Sequence, residues 1–85
     1  MRIVFTDVSW EDYIYWQKND KQKVKRINEL IRDIARNPFD GIGKPEALRF
    51  NYTGFWSRRI DEEHRLVYRV VESEIQILKC RFHYD

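Results

Sequence analysis

Cysteine appears once in these 85 residues, methionine once, proline twice and glycine three times. A lone cysteine excludes an internal disulfide and fits a reducing compartment. Long apolar runs are missing too: none approaches the ~20 residues that a membrane span requires. Arg2-Ile3-Val4-Phe5 runs straight into Asp7, which leaves no room for a signal-peptide pattern. Two histidines and one cysteine do not make a set of metal ligands, so a structural zinc site is not expected. There are no internal repeats and no low-complexity segments. The composition describes a single cytosolic domain over residues 1–85, with no membrane contact and no cofactor.

Aromatic side chains, by contrast, are plentiful: three tryptophans, five tyrosines and five phenylalanines. With 42% hydrophobic content they argue for a packed core rather than disorder. The formal net charge is only +2, which looks small for a nucleic-acid partner, but the total hides an arrangement. In the second half the acids gather at Asp61-Glu62-Glu63 and Glu72-Ser73-Glu74, between the expected strands. The bases Arg58, Arg59, Arg65, Arg69, Lys79 and Arg81 fall within those strands. One sheet face can therefore be basic in a nearly neutral molecule.

Periodicity gives the order β-α-α-β-β-β-β. Arg2 to Phe5 reads as an opening strand. Ser9 with Asp12 three residues on reads as a helix start, followed by Trp10, Tyr13, Ile14 and Gln17 at helical spacing. Asp20 caps a second helix whose apolar stripe is Val24, Ile27, Leu30, Ile31 and Ile34. Asn37-Pro38 ends it, because proline disfavours helical backbone in the residue before it. Both prolines and two of the three glycines then mark a loop over 38–47. Strands are expected at Leu48 to Phe50, Phe55 to Ile60, Arg65 to Val71 and Ile75 to Tyr84. The fold class is α+β, with two helices covering one face of a mainly antiparallel sheet and the other face open.

Strand alternation sorts the side chains. Leu66, Tyr68 and Val70 should face the helices, leaving Arg65, Val67 and Arg69 outward. In the last strand Leu78, Cys80 and Phe82 point inward, so Lys79, Arg81 and His83 join the outward face. For the strand from Phe55, Arg59 is favoured outward, with Trp56 and Ile60 inside. Glu46 leads into the sheet from Gly43-Lys44-Pro45 at its edge. A carboxylate and an imidazole beside several arginines suit cleavage of RNA by internal transphosphorylation. One group takes the proton of the ribose 2′-hydroxyl and the other protonates the departing 5′-oxygen. Arginine holds the charge growing on the phosphorus oxygens. The nucleophile belongs to the substrate, so the chemistry needs no metal. Imidazole can fill either proton-transfer role, and the residues alone leave the direction open. Cys80 and Trp56 read as core residues, Trp10 and Trp16 as core or helix-packing residues, and His64 as a structural residue in a turn.

These residues resemble a known family across nearly the whole length. The matching blocks are Ser9-Trp10-Glu11-Asp12-Tyr13 with Trp16, Lys25 to Ile31, Gly43-Lys44-Pro45-Glu46 with Leu48, Gly54 to Ile60, Glu63 to Tyr68, and Cys80 with His83-Tyr84. The chain is similar to the YoeB/Txe branch of the RelE/ParE toxin superfamily. The resemblance implies a RelE-like fold and a bacterial toxin that enters the ribosomal A site and cuts mRNA there. It also implies a cognate antitoxin of the YefM/Axe kind, and it allows a homodimer. Carried over by position, Glu46 is the general base, His83 the general acid and Arg65 the phosphate stabiliser. Arg59 and Tyr84 hold or orient the substrate, with Arg49 and Arg81 adding charge to the same face. Arg49 stands where relatives often have lysine, and Asp85 extends past the familiar ending. Two other classes are weighed against this one: a ParE-like gyrase inhibitor of the same fold, and a non-enzymatic RNA-binding domain. The first has no need of Glu46 and His83 together.

Overall fold

A computed structural model describes residues 1–83. The observed order is β1 (Arg2–Phe5), α1 (Asp7–Asn19), α2 (Lys21–Arg36), β2 (Glu46–Ala47), β3 (Trp56–Arg59), β4 (Arg65–Val71) and β5 (Glu74–Lys79), with one 3-10 turn at Phe50–Tyr52. The sheet runs β1-β5-β4-β3-β2. It is antiparallel except where β1 lies parallel to β5, with Arg2 opposite Glu74 and Phe5 opposite Ile77.

The start of α1 is one turn earlier than Ser9. Thr6 is the cap, its Oγ1 accepting the Ser9 N–H at 3.0 Å. Ser9 is fully buried instead, and its hydroxyl donates to the Ile77 carbonyl at 2.8 Å, tying α1 to β5. The inner face of α1 is therefore Ser9 and Trp16, with Tyr13 and Tyr15 half-buried against the core, whereas Trp10 and Gln17 of the expected stripe are exposed. Trp10 is 48% exposed, although its ring stacks on Tyr13 and meets Phe5 edge-on. Asp20 serves both helices, its N–H donating to Trp16 O and its Oδ1 accepting from Gln22 N–H. The α2 stripe falls as the spacing requires, with Ile27, Leu30, Ile31 and Ile34 buried. They meet Leu66, Tyr68, Ile75, Ile77 and Cys80 from the sheet. Each fully buried large aliphatic side chain contributes about 1.5–3 kcal/mol.

Sequence parity misplaces two strands. Leu48 to Phe50 is not a strand: Phe50 sits at φ 58° and is 90% exposed, and the only β pairing of this segment is Glu46 with Ser57 and Ala47 with Trp56. Nor does the last strand reach Tyr84. It ends at Lys79, after a bulge at Leu78 that sets Val67 opposite Lys79 and Tyr68 opposite Ile77. Without that extra residue Lys79 would point into the core with Ile75 and Ile77. The second sheet face is also less open than expected. Leu48 and Val67 are buried there, apart from the helical core. The β2–β3 connection lies over this face, with Tyr52 under the Lys79 ammonium and Phe55 under the Arg69 guanidinium.

A buried ion pair organises the loop that leads to Glu46. Arg58 is completely buried and all five of its N–H donors are used. They reach Tyr68 Oη, Asp33 Oδ2 and the carbonyls of Asn37, Asp40 and Ile42. Gly41 is required where this knot closes: its φ is 123°, and a β-carbon would stand 2.0 Å from Asp33 Oδ2. Asp33 has its carboxyl held below the usual range by the Arg58 guanidinium and then by the Ile42 N–H.

Candidate active site

The register gathers the expected residues along one side of the sheet. Glu46 pairs with Ser57, Ser57 with Val67 and Val67 with Lys79, so these four share one face. Two residues along β3 and β4, Arg59 pairs directly with Arg65 on that same face. Strand spacing puts the Glu46 and Arg65 α-carbons about 12 Å apart, two strands across and two residues along. Long side chains can converge on one phosphodiester from both sides of that gap. Glu46, Arg49 and Arg59 are exposed. A cleft of about 500 Å³ opens beside Arg59, lined also by Arg26, Gly43, Lys44, Asp61 and Glu62. The groove of about 460 Å³ on the outer side of the helices, around Val24, Asn28 and Arg32, holds none of the candidate residues.

Arg65 differs from expectation. It faces the site side but is only 9% exposed, because its Nη1 donates to the carbonyls of Asp61, Glu62 and His64. The guanidinium therefore closes the β3–β4 turn as well as bordering the site. Asp61 anchors the same turn, accepting from the N–H groups of His64 and Glu63 and from the Lys23 ammonium at 2.9 Å. Burial pushes its carboxyl up, but the His64 N–H, Lys23 and the Glu63 N–H together outweigh that and bring it to about 2.

Residues 80–83 are not strand, and this changes where their side chains go. Lys79 faces the site side and Cys80 is buried, as expected, but the bulge puts them there: before it Ile75 and Ile77 point inward and Leu78, expected inside, is outside the core. Burial pushes the Cys80 thiol up to about 12. Phe82 was expected inside, yet it is 53% exposed at φ 64°. Arg81 was expected beside Lys79 and His83; its guanidinium instead lies 3.4 Å from the Tyr15 ring centre on α1. Beyond Lys79 no ladder remains to enforce alternation, so each residue goes where its own partners are. Side chains of α1 supply several of them. Asp12 Oδ2 accepts the Cys80 N–H at 3.0 Å, and Trp16 Nε1–H donates to Cys80 O at 2.8 Å. Burial raises the Asp12 carboxyl, opposed by that N–H and by Arg81, Lys79 and His64. The Arg65 N–H takes Phe82 O at 3.0 Å, which brings exposed His83 next to the start of β4. The order at this end is thus Glu46, the Arg59–Arg65 pair, then His83. Tyr84 lies outside the described residues. Among the described residues no three acidic, histidine or cysteine side chains gather in a way that could hold a metal ion.

Two helices on one side of a mixed five-stranded sheet is the architecture of YoeB/RelE-like toxins. YafQ from Escherichia coli shares that fold at TM-score 0.75 and 17% identity, over 98% of this chain and 94% of that one. Nearer similarity is with a YoeB/ParE toxin structure from Agrobacterium tumefaciens: TM-score 0.96, 51% identity, 99% and 100% of the two chains. A heterotetrameric YoeB-YefM toxin-antitoxin complex from Staphylococcus aureus matches at TM-score 0.92 and 53% identity over 99% and 98%. In sequence, Toxin YoeB of Synechocystis sp. is 60% identical over 100% of this chain and 99% of its own length. Toxin YoeB of E. coli K12 is 57% identical over 99% and 100%. The model of the YoeB-like toxin of bacterial type II toxin-antitoxin systems matches residues 5–84. The chain belongs to that family.

Proposed function

We propose that this toxin is an endoribonuclease that cuts mRNA in the ribosomal A site, with residues 1–85 acting as one domain. The observation that carries the reading is the sheet register: Glu46 stands on the same face as the Arg59–Arg65 pair, on the opposite side of that pair from His83. In this reading Glu46 takes the proton from the ribose 2′-hydroxyl and the 2′-oxygen attacks phosphorus. Arg65 neutralises the charge growing on the non-bridging oxygens, its plane preset by the turn carbonyls. The P–O5′ bond breaks, and imidazolium 83 hands its proton to the leaving oxygen. The products are a 2′,3′-cyclic phosphate and a 5′-hydroxyl, with no metal taking part. Arg49, Arg59, Arg81 and Tyr84 hold the RNA; Arg81 acts from the α1 side. The partner is a YefM-like antitoxin of the kind seen with the S. aureus relative. A second copy of the chain is a further partner, since a YoeB dimer is known from the same organism.

Single-turnover cleavage of message on programmed ribosomes, and of the same RNA without ribosomes, tests the reading. Replacing the 5′-oxygen at the cut site by sulfur removes the need for an acid, because thiolate leaves unprotonated. His83→Ala should be rescued by that sulfur and Glu46→Ala much less. Rescue of Glu46→Ala alone would reverse the two roles. No cleavage under either condition, with gyrase inhibited instead, would overturn the reading.

A further inference from the structure

His64 is absorbed by no step of this chemistry, yet its ring is held on several sides. Nδ1 accepts the Phe82 N–H at 2.7 Å. The ring meets Trp16 edge-on, centroids 4.8 Å apart at 82°, and lies 5.9 Å from the Phe82 ring. Phe82 is a non-glycine residue in the left-handed region and is half-exposed. Such backbone persists only where neighbours fix it. Here both its polar groups are fixed, its carbonyl by the Arg65 N–H and its N–H by His64. His83 is the next residue. An acceptor at Nδ1 requires a neutral ring with its proton on Nε2. Glu63 Oε1, 3.6 Å from Nε2, favours a proton at that nitrogen.

We propose that His64 is the positioning residue for His83, acting through the Phe82 backbone and only while its Nδ1 is unprotonated. The inference rests on the endonuclease reading for its functional half. A proton on Nδ1 sets donor against donor, and the turn at Phe82 loses its lock. The charged groups around the ring are Asp12 on α1, Glu63 and Asp61 in the turn, and Arg65. Activity should therefore fall on the acid side as His64 takes up a proton, whereas a proton on His83 itself is what the acid role demands. The two histidines act on opposite limbs of the pH profile.

The test uses two readouts. In the unaltered chain, NMR follows the His64 ring and the Phe82 amide across the acid range. Phe82 protection should drop about tenfold as the ring protonates, the worth of one neutral hydrogen bond, while Leu66 in β4 keeps its own. Phe82 protection that stays constant through the His64 titration overturns the proposal without any variant having to fold. The second readout is cleavage by His64→Asn and His64→Gln. Asparagine offers an oxygen at the δ position that accepts the same N–H and does not titrate; glutamine carries its oxygen one atom too far. His64→Asn should keep neutral-pH cleavage and lose the His64 acid limb, and His64→Gln should lose about tenfold in kcat with KM unchanged. Equal activity in the two variants overturns the positioning role. Phe82 tracking His64 while no form of the protein cleaves RNA refutes the endonuclease reading and supports the latch.

Discussion

Replacing Arg58 by methionine should damage this protein more than any surface change, and the structure sets the size. The side chain is fully buried, pairs with Asp33, and satisfies three loop carbonyls and the Tyr68 oxygen. Removing one partner of such a buried pair costs about 3–5 kcal/mol, because the other charge loses its main partner. Asp33 keeps only the exposed Arg36 at 3.5 Å and the Ile42 N–H. A domain of this length has roughly 4–13 kcal/mol in total, so Arg58→Met takes a large share. Thermal midpoints should fall by at least about 12 °C. Urea unfolding followed by tryptophan fluorescence is a suitable assay, since Trp56 packs on Phe39 of the affected loop at 4.8 Å. Asp33→Asn added to Arg58→Met should recover part of the loss by removing the stranded charge, while the loop carbonyls still lack donors.

Acid supplies an internal control for the same pair. Asp33 has a folded pKa below its ordinary value of 3.8. A depressed carboxylate contributes stability that is present above the unfolded value and lost as pH falls through the folded one. The gap between the native chain and Arg58→Met should hold above pH 3.8 and narrow below it. A loss under about 1 kcal/mol at neutral pH, or a gap that widens in acid, would refute the claim that this ion pair holds the loop.

Three other expectations follow from individual residues. Asp61 titrates near 2, so its contribution, about 1–2 kcal/mol after allowance for its partial exposure, should vanish between pH 3.8 and about 2; Asp61→Asn should flatten that part of the stability profile. Cys80, buried and pushed to about 12, should react with thiol reagents in native buffer only at the rate of opening, and fully in denaturant; rapid native labelling would contradict its packing. Arg65→Lys should keep the charge but lose the fork, costing about 2–4 kcal/mol of transition-state stabilisation under the endonuclease reading. Arg69→Ala is the control, and equal rate losses in the two would point to diffuse electrostatics.

Regular periodicity made most of the fold legible. The α2 stripe, the span of β4 and the cap at Asp20 all follow from residues within one turn or one pleat of each other. What sequence could not supply is competition between distant partners. Ser9 was available as a cap, but the Ile77 carbonyl takes its hydroxyl and Thr6 caps instead. Asp33 reads as one more charge on a solvated helix until Arg58, 25 residues on, arrives beside it. The clue was present: Arg58 shares the inward parity of Trp56 and Ile60, and a cation there demands a buried anion. The bulge at Leu78 and the left-handed turn at Phe82 leave no local signature, so alternation placed Arg81 and Phe82 on the wrong sides.

The candidate site divides along the same line. Its arginine pair sits on paired strands, where register alone fixes position to within a side chain's reach. Its two proton-transfer candidates sit where regular structure is failing: Glu46 at a two-residue strand after an irregular loop, and His83 beyond the last strand. A proton transfer tolerates misplacement far less than a phosphate contact does. Each of those segments is accordingly tied down by polar side chains reaching out of the core, Arg58 with Asp33 for the loop before Glu46, and Asp12, Trp16 and His64 for the tail before His83. Buried polar groups in so small a core are costly unless every partner is present. Placing them behind the two least regular segments of the site gives that cost a physical purpose. It also makes the site's geometry sensitive to changes at residues that lie outside it.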